Sequence, residues 1–173
     1  MTILEKIIKT KQAELEIVKK TISIEDLRKL PNYERKSDSL VDKLKNSSHG
    51  IIAEHKRKSP SKSVINDSVL INQIIKGYDQ ADVCGISVLT DKDYFGGSLN
   101  DLRTARKLTK IPILRKEFII DEYQIIEAKA NGADVILLIA ACLEKKQIIN
   151  LSSLAKKIGL EVLIEIHDEN ELE

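Results

Sequence analysis

Two lysines and a glutamate sit at the ends of apolar runs, where packing alone gives no reason for a charge. Lys56 closes I-I-A-E-H-K at 51–56, Lys116 follows Ile113-Leu114-Arg115, and Glu165 lies inside V-L-I-E-I at 162–166. One lysine at a strand end is most often solvated. Two such lysines on separate runs, each beside a carboxylate in sequence (Glu54, Glu117), favour a shared site. A lysine in a cleft can donate a proton, and its charge can hold a carboxylate or phosphate. A glutamate turned into an apolar interior must be paired or have its pKa raised. The residues point to a proton donor and a cationic hold on a carboxylate or phosphate.

The elements that position these residues are strands alternating with helices. Strand-like apolar runs occupy 51–56, 85–89, 113–115, 135–140 and 161–166. Stretches with apolar residues at helical spacing lie between them, at 69–78, 99–108, 121–130 and 145–158. Gly132 and Gly159 stand where helices should end. Strand starts are about 22 to 35 residues apart, the size of a βα unit, so a parallel sheet with right-handed crossovers is expected. In the first strand, period-two alternation puts Glu54, Lys56 and Lys58 on one face and His55 and Arg57 on the other. Ser59-Pro60-Ser61 then stops it, because proline lacks the ladder donor. No G-x-G-x-x-G or P-loop follows this strand, which counts against a nucleotide-binding open sheet. Polar residues at the ends of several strands are how a (β/α)8 barrel collects an active site. Only five strands are countable and Glu173 follows the fifth closely, whereas a full barrel takes about 250 residues. The expected fold is therefore α/β, a partial (β/α)8 barrel at 51–173. Before it, residues 1–50 read as a helical extension. It has an amphipathic helix over 3–20, a short helix from Ser23 that stops before Pro31, a polar loop at 32–36, a short helix at 39–44 and a turn at 46–50.

A net charge of +1 supplies no global field for nucleic acid or an anionic membrane. The cluster Lys56-Arg57-Lys58 with Lys62 follows an apolar strand, and aromatics for base stacking are scarce, so a nucleic-acid patch is disfavoured. Cys84 and Cys142 lie far apart in apolar contexts and read as buried free thiols. No C-x-x-C or H-E-x-x-H pattern occurs, so no metal is expected. No signal-peptide pattern and no membrane-spanning apolar run is present, and a cytoplasmic location is the default expectation. Two glycines after Phe95 let backbone approach a ligand closely, and the ring could cover an aromatic group. His55 alternates onto the helix-facing side and reads as structural, His49 sits in a turn, and His167 should be exposed.

Five motifs in series resemble the indole-3-glycerol phosphate synthase family. They are I-I-A-E-H-K-R-K-S-P-S-K at 51–62, S-V-L-T-D-K-D-Y-F-G-G-S-L at 87–99, I-P-I-L-R-K-E-F-I-I-D-E-Y-Q-I at 111–125, G-A-D-V-I-L-L-I-A-A at 132–141 and G-L-E-V-L-I-E-I-H-D at 159–168. The resemblance implies a (β/α)8 barrel that closes an indole ring on 1-(2-carboxyphenylamino)-1-deoxyribulose 5-phosphate, releasing carbon dioxide and water. It implies Lys116 as general acid, Lys56 as the catalytic lysine that holds the carboxylate, Glu165 as general base, and Glu54 as the glutamate that orients substrate. Ser59, Pro60, Phe95, Phe118, Leu137 and Ile139 match substrate-pocket positions, and no metal or organic cofactor is implied. The sequence departs from the family pattern at His55, usually apolar or aromatic, and at Ser63, often glycine. The sixth to eighth βα units, with their phosphate-holding loops, are not in this chain, so little activity is expected of it alone. The rival readings are a non-catalytic module that pairs through open sheet edges, with itself or with a C-terminal piece, and another phosphosugar barrel such as phosphoribosylanthranilate isomerase. The Glu54/Lys56 pair and K-R-K-S-P-S weigh against the isomerase.

Overall fold

The computed structural model describes residues 1–66 and 68–172; Glu173, where the expected barrel segment ends, lies outside them. Three helices, α1 (Ile3–Thr21), α2 (Ile24–Arg28) and α3 (Leu40–Lys45), precede the sheet. Then β1 (Ile52–His55), α4 (Ile71–Gln80), β2 (Gly85–Leu89), α5 (Leu99–Leu108), β3 (Ile113–Lys116), α6 (Glu122–Ala130), β4 (Val135–Ile139), α7 (Lys145–Lys157) and β5 (Glu161–Glu165) follow. The five strands pair in chain order and all in parallel, the arrangement of consecutive βα units of a barrel.

Strand pleating sorts the apolar residues into two layers. Ile86, Val88, Ile113, Ile136 and Leu138 face the helices and pack on Ile75, Leu102, Ile125 and Leu151. Leu114, Val135, Leu137 and Ile139 face the other way and form the interior layer around Leu40. Both faces of β2 and β4 are covered, and all five residues of each are buried, which is why those runs read as continuously apolar. Each fully buried aliphatic side chain contributes about 1.5–3 kcal/mol.

The N-terminal helices attach this sheet at two places. Leu15 and Leu27 pack on Tyr123, Ile126 and Ala130 of α6. Lower down, α3 inserts Leu40 beneath the sheet, and the Glu161 carboxylate accepts from the Ser39 hydroxyl (2.5 Å) and from the amides of Leu40 (2.9 Å) and Val41 (3.1 Å). A Cβ on Gly85 would stand 2.6 Å from Leu40 Cδ1, so glycine there admits the plug.

Two details differ from expectation. β1 ends at His55, which leaves Lys56 one residue past the strand. The 32–36 loop is anchored, not merely polar: Tyr33 packs against the α1–α2–α6 cluster, and Arg35 reaches Asp134. Asp134 is fully buried at the start of β4. It accepts from Arg35 (2.5 Å), Arg106 (2.8 Å) and the amides of Asp38 (2.9 Å) and Ile113 (2.8 Å). Ser63 is not among the positive-φ residues, so the loop after β1 carries no backbone strain there. Among the described residues, no helix is long and apolar enough to cross a membrane.

Removing the Asp134 carboxylate takes an acceptor from two guanidinium groups and two amides at once. Asp134→Ala is expected to lower stability by about 3–5 kcal/mol, as for other broken buried ion pairs. Urea denaturation checks this through a lower midpoint at unchanged slope.

Candidate active site

The ionisable residues singled out from the sequence gather at the C-terminal rim of the sheet. Lys116, at the end of β3, places Nζ 2.6 Å from Oε2 of Glu165, at the end of β5. Strand register sets Lys116 beside Leu89 and Glu165 beside Ile139. In a flat sheet, strands two apart stand about 10 Å from one another. A direct contact across β4 therefore requires both side chains on the concave face and a sheet that curls toward it. Both are about one third exposed.

On β1, Glu54 points to the same face. Its Oε2 accepts from the Ser87 hydroxyl of β2 at 2.7 Å, and its Oε1 lies 3.3 Å from Lys56 Nζ. Lys56 Nζ in turn stands 5.7 Å from the centre of the Phe95 ring, a cation–π distance. Phe95 and Phe118 meet at 6.0 Å between centroids, tilted by 35°. These two rings, Leu89, Leu137 and Ile139 line one largely apolar cleft, with Lys116, Asp91 and Glu117 at its wall. It is small, about 30 Å³. A larger groove of about 830 Å³ runs between α1 and residues 140–147 but contains none of these ion pairs.

Gly97 permits the loop that carries Phe95. A Cβ there would lie 2.1 Å from the Leu89 carbonyl oxygen, so no other residue fits without moving the backbone. Ser59 and Pro60 do not line the cleft. They sit in a turn closed by reciprocal backbone bonds between Ser59 and Lys62 (2.8 and 3.0 Å). The arrangement can hold an aromatic ring between apolar walls, present an ammonium to an oxygen, and offer a carboxylate on the same side.

Three residues depart from, or add to, the sequence reading. Glu117 does not pair with Lys116. It follows the end of β3, and its carboxylate accepts from Thr90 (2.7 Å) and lies 3.5 Å from Lys11. His167 is exposed as expected, yet its Nε2 stands 3.3 Å from Glu165 Oε1, so the carboxylate is held from both ends. Its position two residues after Glu165 was the available signal, since alternation returns it to the same side. His55 lies on the helix-facing side, where burial and the neighbouring Arg57 lower its pKa, in keeping with a structural role.

Both thiols are free, but only Cys84 is fully buried; Cys142, just after β4, is half-buried. Burial, together with the negative charges of Glu165 and Glu171, pushes the Cys142 thiol up to about 11. The neutral thiol thus persists well into alkaline solution. Alkylation of Cys142 by iodoacetamide, followed by peptide mass spectrometry, is expected to be slow near neutral pH and to rise only toward about pH 11. Glu165→Gln removes one repelling charge and moves that rise to lower pH. A profile that turns over near the ordinary thiol value of about 9 contradicts the placement.

The sequence profile of the family described as indole-3-glycerol phosphate synthase matches residues 4–173. Among similar proteins, the indole-3-glycerol phosphate synthase of Bacteroides thetaiotaomicron is 48% identical over 170 residues, covering 98% of this chain and 65% of that protein. That of Neisseria meningitidis serogroup B is 41% identical over 175 residues (99% and 67%), and that of Prochlorococcus marinus 43% identical over 175 residues (98% and 58%). The chain thus spans about two thirds of the length of the relatives it matches. On the profile match and these identities, the chain belongs to the indole-3-glycerol phosphate synthase family.

Proposed function

We propose that this chain carries the acid–base machinery of an indole-3-glycerol phosphate synthase. The substrate is 1-(2-carboxyphenylamino)-1-deoxyribulose 5-phosphate, and the reaction is a ring closure with loss of carbon dioxide and water. Lys116 is the general acid at the ketone oxygen. Lys56 binds the carboxylate that will leave, with Glu54 orienting it. Glu165 is the base that takes the later proton. Phe95, Phe118, Leu137 and Ile139 form the slot for the aromatic ring, and Ser59 and Pro60, in the turn after β1, meet the substrate outside that slot. The reading needs no metal or organic cofactor. The observation that carries it is the 2.6 Å contact between Lys116 and Glu165 on the wall of an apolar cleft. Acid and base are thereby matched to one another in the resting site and available to two successive steps.

A second reading has its own observation. Along and just after β5, the last strand of the sheet, Leu163, Ile164 and Ile166 are 38%, 48% and 41% exposed. An apolar edge strand with free ladder groups is a template for pairing, and we infer self-association through it. Light scattering is expected to give a mass of at least two chains; a monodisperse monomer sinks this reading.

Formation of product is read as indole fluorescence, and substrate binding as a change in the fluorescence of its anthranilate ring. In the chain completed by the sixth to eighth βα units, Lys116→Ala and Glu165→Gln are each expected to cut turnover at least ~100-fold while the substrate still binds, as for loss of a general acid or base. Lys56→Ala weakens binding as well. A completed protein that neither binds nor converts the substrate overturns the synthase reading.

A further inference from the structure

The buried stripe of α1 is Ile7, Lys11 and Leu15, one turn apart, with a lysine in its centre. Lys11 is only 4% exposed. An ammonium in that position is tolerated only among carboxylates. Its Nζ stands 2.7 Å from Asp91 Oδ2, 2.7 Å from Glu14 Oε2 and 3.5 Å from Glu117 Oε1. Burial works against its charge, but Glu117, Asp91 and Glu14 outweigh it and hold its pKa above the usual lysine value.

Two of these carboxylates have a second task. Asp91 Oδ1 accepts from the backbone amides of Tyr94 (2.7 Å) and Phe95 (3.0 Å). Glu117 Oε1 accepts from the backbone amide of Phe118 (2.9 Å). Each acid that touches Lys11 from the sheet thus fixes the backbone of one of the two aromatic rings in the cleft. The neighbouring Thr10 hydroxyl adds a bond to the Tyr94 hydroxyl at 2.9 Å. The residues on α1 and those they hold are 80 or more positions apart in sequence, so this coupling is tertiary and specific.

We propose that Lys11 is a positioning residue for the cleft: its buried ammonium locks Asp91 and Glu117, and through them sets the spacing of Phe95 and Phe118. Its importance for the reaction rests on the synthase reading, but the mechanical claim does not. A purely structural lysine, one that only seats α1, would affect the whole fold evenly when lost. A positioning lysine loosens the two aromatic segments selectively.

Amide hydrogen exchange separates these outcomes without requiring turnover. In Lys11→Met, exchange at Phe95 and Phe118 is expected to quicken by about tenfold or more, the scale of a lost charge-assisted contact. Exchange at Ile86, bonded to the Pro112 carbonyl within the sheet, stays unchanged. Lys11→Arg restores most of the protection. Leu15→Ala, on the same stripe but packed on α6, leaves the ratio of Phe95 to Ile86 unaltered. Proportional quickening at every site in Lys11→Met, or none at Phe95 and Phe118, overturns the proposal. Should Lys11→Met not fold, Asp91→Asn replaces it, keeping an acceptor for Phe95 while removing the charge that meets Lys11. Selective loosening at Phe95 supports the lock, and unchanged exchange there refutes it. Anthranilate serves as the probe of the second arm. Its fluorescence-monitored Kd is expected to rise several-fold in Lys11→Met and to recover in Lys11→Arg. Failure of the parent protein to bind anthranilate removes the aromatic-slot reading, while the exchange result still decides the role of Lys11.

Discussion

A lysine on one strand and a glutamate two strands away touch at 2.6 Å, and the intervening strand passes beneath them with Ile139. This contact condenses the geometry of the whole chain. It requires parallel strands in chain order, so that every C-terminal end opens at the same rim. It requires correct pleat parity on β3 and β5, since a shift of one residue would send either charge into the helix layer. It also requires curvature, which the apolar interior layer around Leu40, Leu114 and Leu137 supplies by drawing the concave face around itself.

The N-terminal helices act on both ends of this curved sheet. At the lower end, Leu40 fills the interior and the Glu161 carboxylate meets the start of α3, while Asp134 gathers Arg35 and Arg106. At the upper end, Lys11 reaches the acids that follow β2 and β3. Residues 1–50 therefore bear on the site from two directions. Closing such ion pairs in the interior yields little net stability compared with apolar contacts. Their value lies in direction: a carboxylate that must point at a buried ammonium cannot also wander, and the backbone bonded to its other oxygen inherits that restraint.

The sequence is most legible where one periodicity dominates. Gly85 to Leu89 and Leu99 to Leu108 lie where their patterns place them, because glycines, a proline and capping residues bound them. Lys56, Lys116, Glu165 and Glu54 were visible as charges at the ends of apolar runs. Phe95, Phe118, Leu137 and Ile139 were matched to pocket positions by family resemblance and do line one cleft with Lys116. Ser59 and Pro60 were matched the same way and lie outside it, since the turn after β1 closes on itself. What remained hidden was long-range. Lys11 passed as a polar residue of an amphipathic helix, though it interrupts the Ile7–Leu15 stripe at the turn where an apolar residue belongs. Glu117, beside Lys116 in sequence, gives its carboxylate to Thr90 and Lys11 from distant elements, and no local pattern announces that.

On the synthase reading, the resting site is already balanced in charge. Lys56 is matched by Glu54 and Lys116 by Glu165. An incoming substrate carboxylate therefore does not meet a bare cation; it competes with Glu54 for Lys56. Glu54 can yield, because the Ser87 hydroxyl holds its other oxygen and keeps it in place when the ammonium turns away. Glu165 is in the same position, with His167 at its second oxygen. When Lys116 gives up its proton on that reading, Glu165 loses its cationic neighbour but keeps the His167 contact at its other oxygen. Each carboxylate thus keeps a second contact, Ser87 for Glu54 and His167 for Glu165, when its ammonium partner turns to the substrate.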